Sequence, residues 1–180
     1  MTAYKRWAVF LSLLTGSLAV AALPRGKSIP AFSALLVDKR TIRVTTEGGR
    51  LRLDIMGADK RETVHPKVLV LDFWATWCSY CRVAEGWLQK LYKRYGKKGL
   101  EVLAISIDED GRRSVGPYLL RHRLPYRVAL DPRAVLANKF KVESLPTIYV
   151  IDAKGTIRSV FEGIENEKSL IREVVAAGLE

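Results

Sequence analysis

The chain has 180 residues, enough for one domain with its own core plus a short additional segment. Its apolar and charged fractions, 48% and 27%, are those of a globular protein and exclude disordered and fibrous classes. Thirty basic residues stand against 19 acidic ones, a net charge of +11. The excess is spread along the chain, with no basic patch interleaved with aromatics, so a solvated basic surface is expected and no nucleic-acid binding.

The first segment has the layout of an export signal. Lys5 and Arg6 precede an uncharged run from Trp7 to Leu23, which Pro24 and Arg25 close. As a helix the run would reach about 25 Å, short for a membrane crossing and suited to a signal h-region. Ala19-Val20-Ala21 supplies the small residues of a cleavage site, and no cysteine follows that could carry a lipid. Residues 1–23 are therefore expected to be a signal peptide or a retained N-terminal anchor. Either places the remaining chain on the oxidising side of a membrane.

Residues 24–34 read as a linker, with Pro, Gly and Ser and no periodicity, and 35–180 as the folded domain. Thr41 to Thr46 and Arg50 to Ile55 alternate apolar and polar residues around Glu47-Gly48-Gly49, which predicts a β-hairpin with one buried face. Met56 to Lys67 is polar and loop-like. Val68 to Leu71 is a continuous apolar run, expected of a strand covered on both faces. A helix follows over about 79–96, with Val83, Trp87, Leu88 and Leu91 at helical spacing, then a buried strand over 100–107. A helix over 114–123, a short strand over 126–130 and a short helix over 133–140 come next. Thr147 to Asp152 and Thr156 to Phe161 flank Lys154-Gly155 as an antiparallel pair, and a helix over 170–177 closes the chain. This order predicts an α/β fold with a mixed sheet flanked by helices.

The chain holds two cysteines, in Trp77-Cys78-Ser79-Tyr80-Cys81-Arg82, where a buried strand gives way to a helix. A sulfur at a helix start lies near unpaired N–H groups and the positive end of the helix dipole, which favour the thiolate. Lowering a thiol pKa from about 8.5 to about 7 raises the thiolate fraction at neutral pH from a few per cent to roughly half. The spacing also lets the second sulfur reach the first and resolve a mixed disulfide. A zinc site would need four ligands, and only His65 and His122 remain; haem attachment would need His where Arg82 stands. A structural disulfide stays open on these residues alone. Asp72 sits within an apolar strand, where a carboxylate without a partner is costly, and is expected to be a buried functional acid.

Val70-Leu71-Asp72-Phe73-Trp74-Ala75-Thr76-Trp77-Cys78 resembles the active-site strand and turn of thioredoxin-like proteins. The strand from Gly99 to Asp108, the helix and strand inserted over Ser114 to Asp131, and Leu145-Pro146-Thr147 before Tyr149-Val150-Ile151-Asp152 resemble the membrane-associated TlpA/ResA branch, which includes cytochrome c maturation thioredoxins. The resemblance runs from about Pro30 to the end of the chain. It implies a thioredoxin fold with an N-terminal hairpin and a central helix-strand insert. By the same resemblance Pro146 is cis and packs beside the disulfide, Leu145 offers its backbone to an extended substrate, and Asp72 exchanges a proton with the resolving Cys81. Trp77 is expected either to pack beside the site and shape access or to be a simple core aromatic.

Two positions depart from the branch. Tyr80 stands where most relatives have proline, and its N–H is expected to reach the Cys78 thiolate in the reduced protein. The acidic residue three positions after the second cysteine is replaced by Ala84; Glu85, displaced by one, is expected to be a solvated side chain. Arg112, Arg113, Arg121, Arg123, Arg127 and Arg133 are expected to form a solvated basic face.

These features predict an exported thiol–disulfide oxidoreductase. Its expected work is reduction of disulfides in extracytoplasmic proteins, with electrons from a transmembrane thiol carrier; the branch extends to cytochrome c maturation. A disulfide oxidase or isomerase, prompted by Tyr80, is one alternative, and a non-catalytic docking module with a structural disulfide is another. No cofactor or metal is implied. Partners are protein thiols and disulfides, membrane contact is confined to 7–23, and the chain is expected to be a monomer.

Overall fold

A computed structural model describes residues 22–164 and 166–179. The leader expected over 1–23 lies outside the described residues except for its last two positions. Among the described residues, no helix is long and apolar enough to cross a membrane.

Among the described residues, nine strands form one sheet in the order β4-β3-β2-β1-β7-β6-β5-β8-β9. The strands are β1 (Phe32–Leu36), β2 (Thr41–Glu47), β3 (Arg50–Met56), β4 (Arg61–Val64), β5 (Val68–Trp74), β6 (Leu100–Ser106), β7 (Arg127–Leu130), β8 (Thr147–Asp152) and β9 (Ile157–Glu162). The helices are α1 (Ser79–Tyr95), α2 (Arg112–His122), α3 (Val135–Lys139) and α4 (Glu167–Ala176). β5, β6 and β7 run parallel, and β8 lies antiparallel to β5, so the sheet is mixed, as the element order predicts.

β5 is buried along its whole length, and its alternating side chains feed two cores. Val68, Val70 and Trp74 pack with Cys78, Cys81, Ala84 and Leu88 of the α1 side and with Val115 and Tyr118 of α2. Leu69, Leu71 and Phe73 pack on the opposite face with Ile42, Val44, Leu136 and Phe140. This double cover is why the strand reads as an unbroken apolar run. It also fixes the orientation of Asp72, which shares the face of Val70 and Trp74 and so points toward α1.

The N-terminal part is more extensive than a hairpin and linker. β1 alternates buried Phe32, Ala34 and Leu36 with outward residues, pairs with β2, and joins the hairpin to the rest of the sheet through β7. β4 pairs with β3 inside the segment expected to be a loop. Residues 24–34 are docked. The Gly26 and Ile29 N–H groups donate to Ile157 and Gly155, and Ser28 bridges Thr156. Close approach at this turn requires glycine: Gly155 has φ +80°, and a Cβ there would stand 2.6 Å from Thr46 Oγ1.

Candidate active site

Cys78 is the N-cap of α1 and Cys81 lies in its first turn; the two are joined as a disulfide. The Cys81 N–H donates to Cys78 Sγ at 3.1 Å. A capping acceptor is served by the N2 or N3 N–H, and in the disulfide form it is that of Cys81, the N3 residue; the bond expected from Tyr80, the N2 residue, belongs to the reduced pair. No acidic side chain occupies the first turn of α1 to offset the positive helix end.

The loop carrying Cys78 is braced by Asp108, which sequence reasoning passed over as the end of a strand. Its buried carboxylate accepts the Thr76 N–H at 3.0 Å, the Thr76 hydroxyl at 2.6 Å and the Ser106 hydroxyl at 2.7 Å. Asp108→Ala would leave these donors without their partner, each costing about 1–3 kcal/mol when buried. A loss of about 3 kcal/mol in urea unfolding is expected, with slower disulfide exchange as the loop loosens.

Cys78 borders a groove of about 460 Å³ whose walls include Trp77, Tyr80, Ile107, Ala137, Val142 and Leu145. Trp77 and Tyr80 are 69% and 67% exposed at its rim, so Trp77 is an outward-facing wall and no part of the core. The Leu145–Pro146 peptide is cis. Leu145 lies just outside the ladder between β5 and β8, which begins at Thr147. The structure thus brings Cys78, Trp77 and Leu145 together on one surface, with Pro146 following directly.

Asp72, on the face of β5 that packs against α1, is 3% exposed, and its Oδ1 has no hydrogen-bond partner. Burial, followed by the charge of Glu85, pushes its pKa up to about 7. Glu85 is the clearest correction. It is 8% exposed rather than solvated, and accepts from Tyr118 Oη at 2.6 Å and Gln89 Nε2 at 3.1 Å, with His122 Nδ1 at 3.2 Å. A residue four positions after Cys81 lies only about 40° around the helix from it, on the same buried face.

Of the arginines of the insert, Arg113, Arg121, Arg123 and Arg133 are exposed, and two are engaged. Arg127 is paired with Glu101 and Glu62, and Arg112 donates to the Leu36 carbonyl. No group of His, Cys, Asp and Glu suited to hold a metal occurs among the described residues.

Residues 26–160 match the AhpC/TSA family. The chain is similar to thiol-disulfide oxidoreductase ResA of Geobacillus kaustophilus, at 29% identity over 79% of this chain and 83% of the relative. It is also similar to ResA of Bacillus anthracis, at 26% identity over 77% of this chain and 81% of the relative. Among solved structures, a thiol:disulfide interchange protein of the thioredoxin family from Chlorobium tepidum TLS superposes with a TM-score of 0.64. That pair is 23% identical, covering 87% of this chain and 99% of the other. A secreted Mycobacterium tuberculosis disulfide oxidoreductase aligns with a TM-score of 0.60 at 17% identity, over 81% of this chain and 95% of its own.

Proposed function

This chain belongs to the AhpC/TSA family and is a thiol–disulfide oxidoreductase, and from that premise we propose that it reduces disulfides of other proteins on the oxidising side of a membrane. The observation that carries the assignment of roles is Cys78 at the N-cap of α1, beside an open apolar groove, with the Cys81 N–H on its sulfur.

In the reduced protein the same N–H and helix terminus stabilise a Cys78 thiolate. The thiolate attacks one sulfur of a substrate disulfide; that S–S bond breaks, a mixed disulfide forms and the first substrate thiolate leaves. Asp72 takes the proton of the Cys81 thiol. The Cys81 thiolate then attacks Cys78 Sγ and expels the second substrate thiolate, leaving the Cys78–Cys81 disulfide. Two electrons have passed to the substrate. Trp77, Tyr80 and Leu145 receive an extended segment of the substrate chain, and the backbone before Pro146 is free to pair with it as an added strand. A transmembrane thiol carrier restores the dithiol form.

Tyr80 and Ala84 depart from the branch, so the proposal extends to extracytoplasmic protein disulfides as a class, without assignment to cytochrome c maturation. Lys5, Arg6 and the apolar run to Leu23 support the location. An alkaline phosphatase fusion joined at Arg25 is expected to be active. An inactive fusion, expressed at the same level, would place the domain inside the cell and overturn this part of the proposal.

A further inference from the structure

Residues 22–28 follow the outer edge of β9 toward the end of the sheet that carries the disulfide. β5 runs toward Cys78, β8 starts beside its end with Thr147 opposite Phe73, and β9 finishes there with Glu162 opposite Thr147. At the far end Ser28 bridges Thr156. The Gly26 N–H then donates to Ile157 O, and the Ile157 N–H to Lys27 O. Read back from there, the chain reaches a hollow lined by Ala22, Leu23, Ser159, Val160 and Glu162. The Leu23 N–H meets Tyr149 Oη at 3.1 Å and Phe140 O at 3.4 Å, and Tyr149 Oη donates to Phe140 O at 2.5 Å. Phe140 lies in sequence between Ala137 and Val142, two walls of the groove beside Cys78. The apolar run that ends at Leu23 therefore joins the fold at its redox end.

We propose that residues 22–28 are a strap that holds the groove at the bilayer surface, with the apolar run before it retained in the membrane, so that this site works on disulfides of membrane-bound proteins lying at that surface. The proposal rests on the exchange and export given above and narrows their substrate class. A loose tether needs slack, and there is none: Ala22 is 8% exposed and belongs to the core of Phe140 and Tyr149, so the fold takes up the chain where the run ends. Trp7 to Ala21 as a helix would reach about 22 Å, short of the hydrocarbon thickness, which leaves no length for a stalk. A short span is met by local thinning of the bilayer and by Lys5 and Arg6 reaching to the interface. Cleavage after Ala21 would instead put an ammonium group on a residue of the apolar core, which is costly. Trp77 and Tyr80, exposed at the groove rim, join an apolar ring to a polar atom, as do the side chains that settle at headgroup level.

The test uses tether length as a ruler. The full chain is placed in vesicles of phosphatidylethanolamine and phosphatidylglycerol, reduced, and given a disulfide-bonded peptide that is either free or joined to a lipid headgroup by a short or a long Gly/Ser tether. Tethers of about 2 and about 15 residues reach roughly 7 Å and roughly 50 Å, against a width of about 40 Å for a domain of this size. The short-tethered peptide is expected to react as fast as the long-tethered one. A long Gly/Ser insertion between Ala21 and Ala22 leaves the strap in place and gives it slack. It should slow the short-tethered reaction several-fold and leave the free peptide unaffected. Reaction of the long-tethered peptide alone, or a short-tethered rate that the insertion does not change, would overturn the proposal. So would a mature protein whose sequence starts at Ala22. Each of these leaves reduction of the free peptide intact, whereas a chain inactive on the free peptide would remove the exchange reading and the proposal with it.

Discussion

Asp72→Asn is expected to stabilise the oxidised protein at pH 8 by up to about 4 kcal/mol while slowing release of bound substrate. The folded-state pKa of Asp72 is raised from 3.8 to about 7, whereas the unfolded chain ionises near 3.8. Below pH 4 the carboxyl is protonated in both states and costs nothing extra. As pH rises from 4 to 7 the unfolded chain gives up its proton and the folded one retains it, so stability falls, and above 7 the loss is complete. Each pKa unit is worth about 1.4 kcal/mol, which gives the upper figure; the unpartnered amide of the variant takes back part of it. Urea unfolding at pH 4 and pH 8 checks this. The advantage of the variant should be small at pH 4 and grow to a plateau above 7, and an advantage that does not change with pH would contradict the burial argument. The kinetic cost has the same origin, because Asn cannot accept the Cys81 proton during resolution.

The largest effect on activity is expected at the cysteines, and it is asymmetric. Cys78→Ser should lower disulfide exchange by several orders of magnitude, since a hydroxyl is no substitute for a thiolate held at a helix start. Cys81→Ser should still attack, then stall as a stable mixed disulfide, because the sulfur that resolves it is gone. Non-reducing electrophoresis of extracytoplasmic proteins from cells expressing Cys81→Ser should therefore show adducts that vanish with dithiol and are absent for Cys78→Ser. Equal adduct yields from both variants would remove the distinction between an attacking and a resolving cysteine.

Much of this site was legible in the residues because its signals are local. The apolar run of β5, the cysteine spacing at the following helix start and Leu145-Pro146-Thr147 before β8 all lie within short windows, and of these the structure places Cys78 and Leu145 on one groove. What escaped was held by distant partners. β4 is polar because it is an edge strand with little to bury, and its pairing shows only in contacts such as Thr63 Oγ1 with Asp54. β1 pairs across to β7, nearly a hundred residues on, and too few of its residues alternate to stand out from a Pro, Gly and Ser-containing stretch. Glu85 was misjudged for a related reason. Positions three and four after Cys81 share one helix face, and a charge there is tolerated only because Tyr118 and His122 arrive from α2. Asp108 braces the active-site loop through Thr76, 32 residues earlier, a link no pattern of spacing announces.

The assignment of Cys78 as the attacking thiol is tested most directly by alkylating the fully reduced protein over a range of pH and following each cysteine separately by mass spectrometry. Cys78 should react first, with a rate that rises at a pH clearly below that of an ordinary thiol, while Cys81, buried in the first turn of α1, reacts far more slowly throughout. Equal rates and equal pH dependence for the two sulfurs would contradict the account.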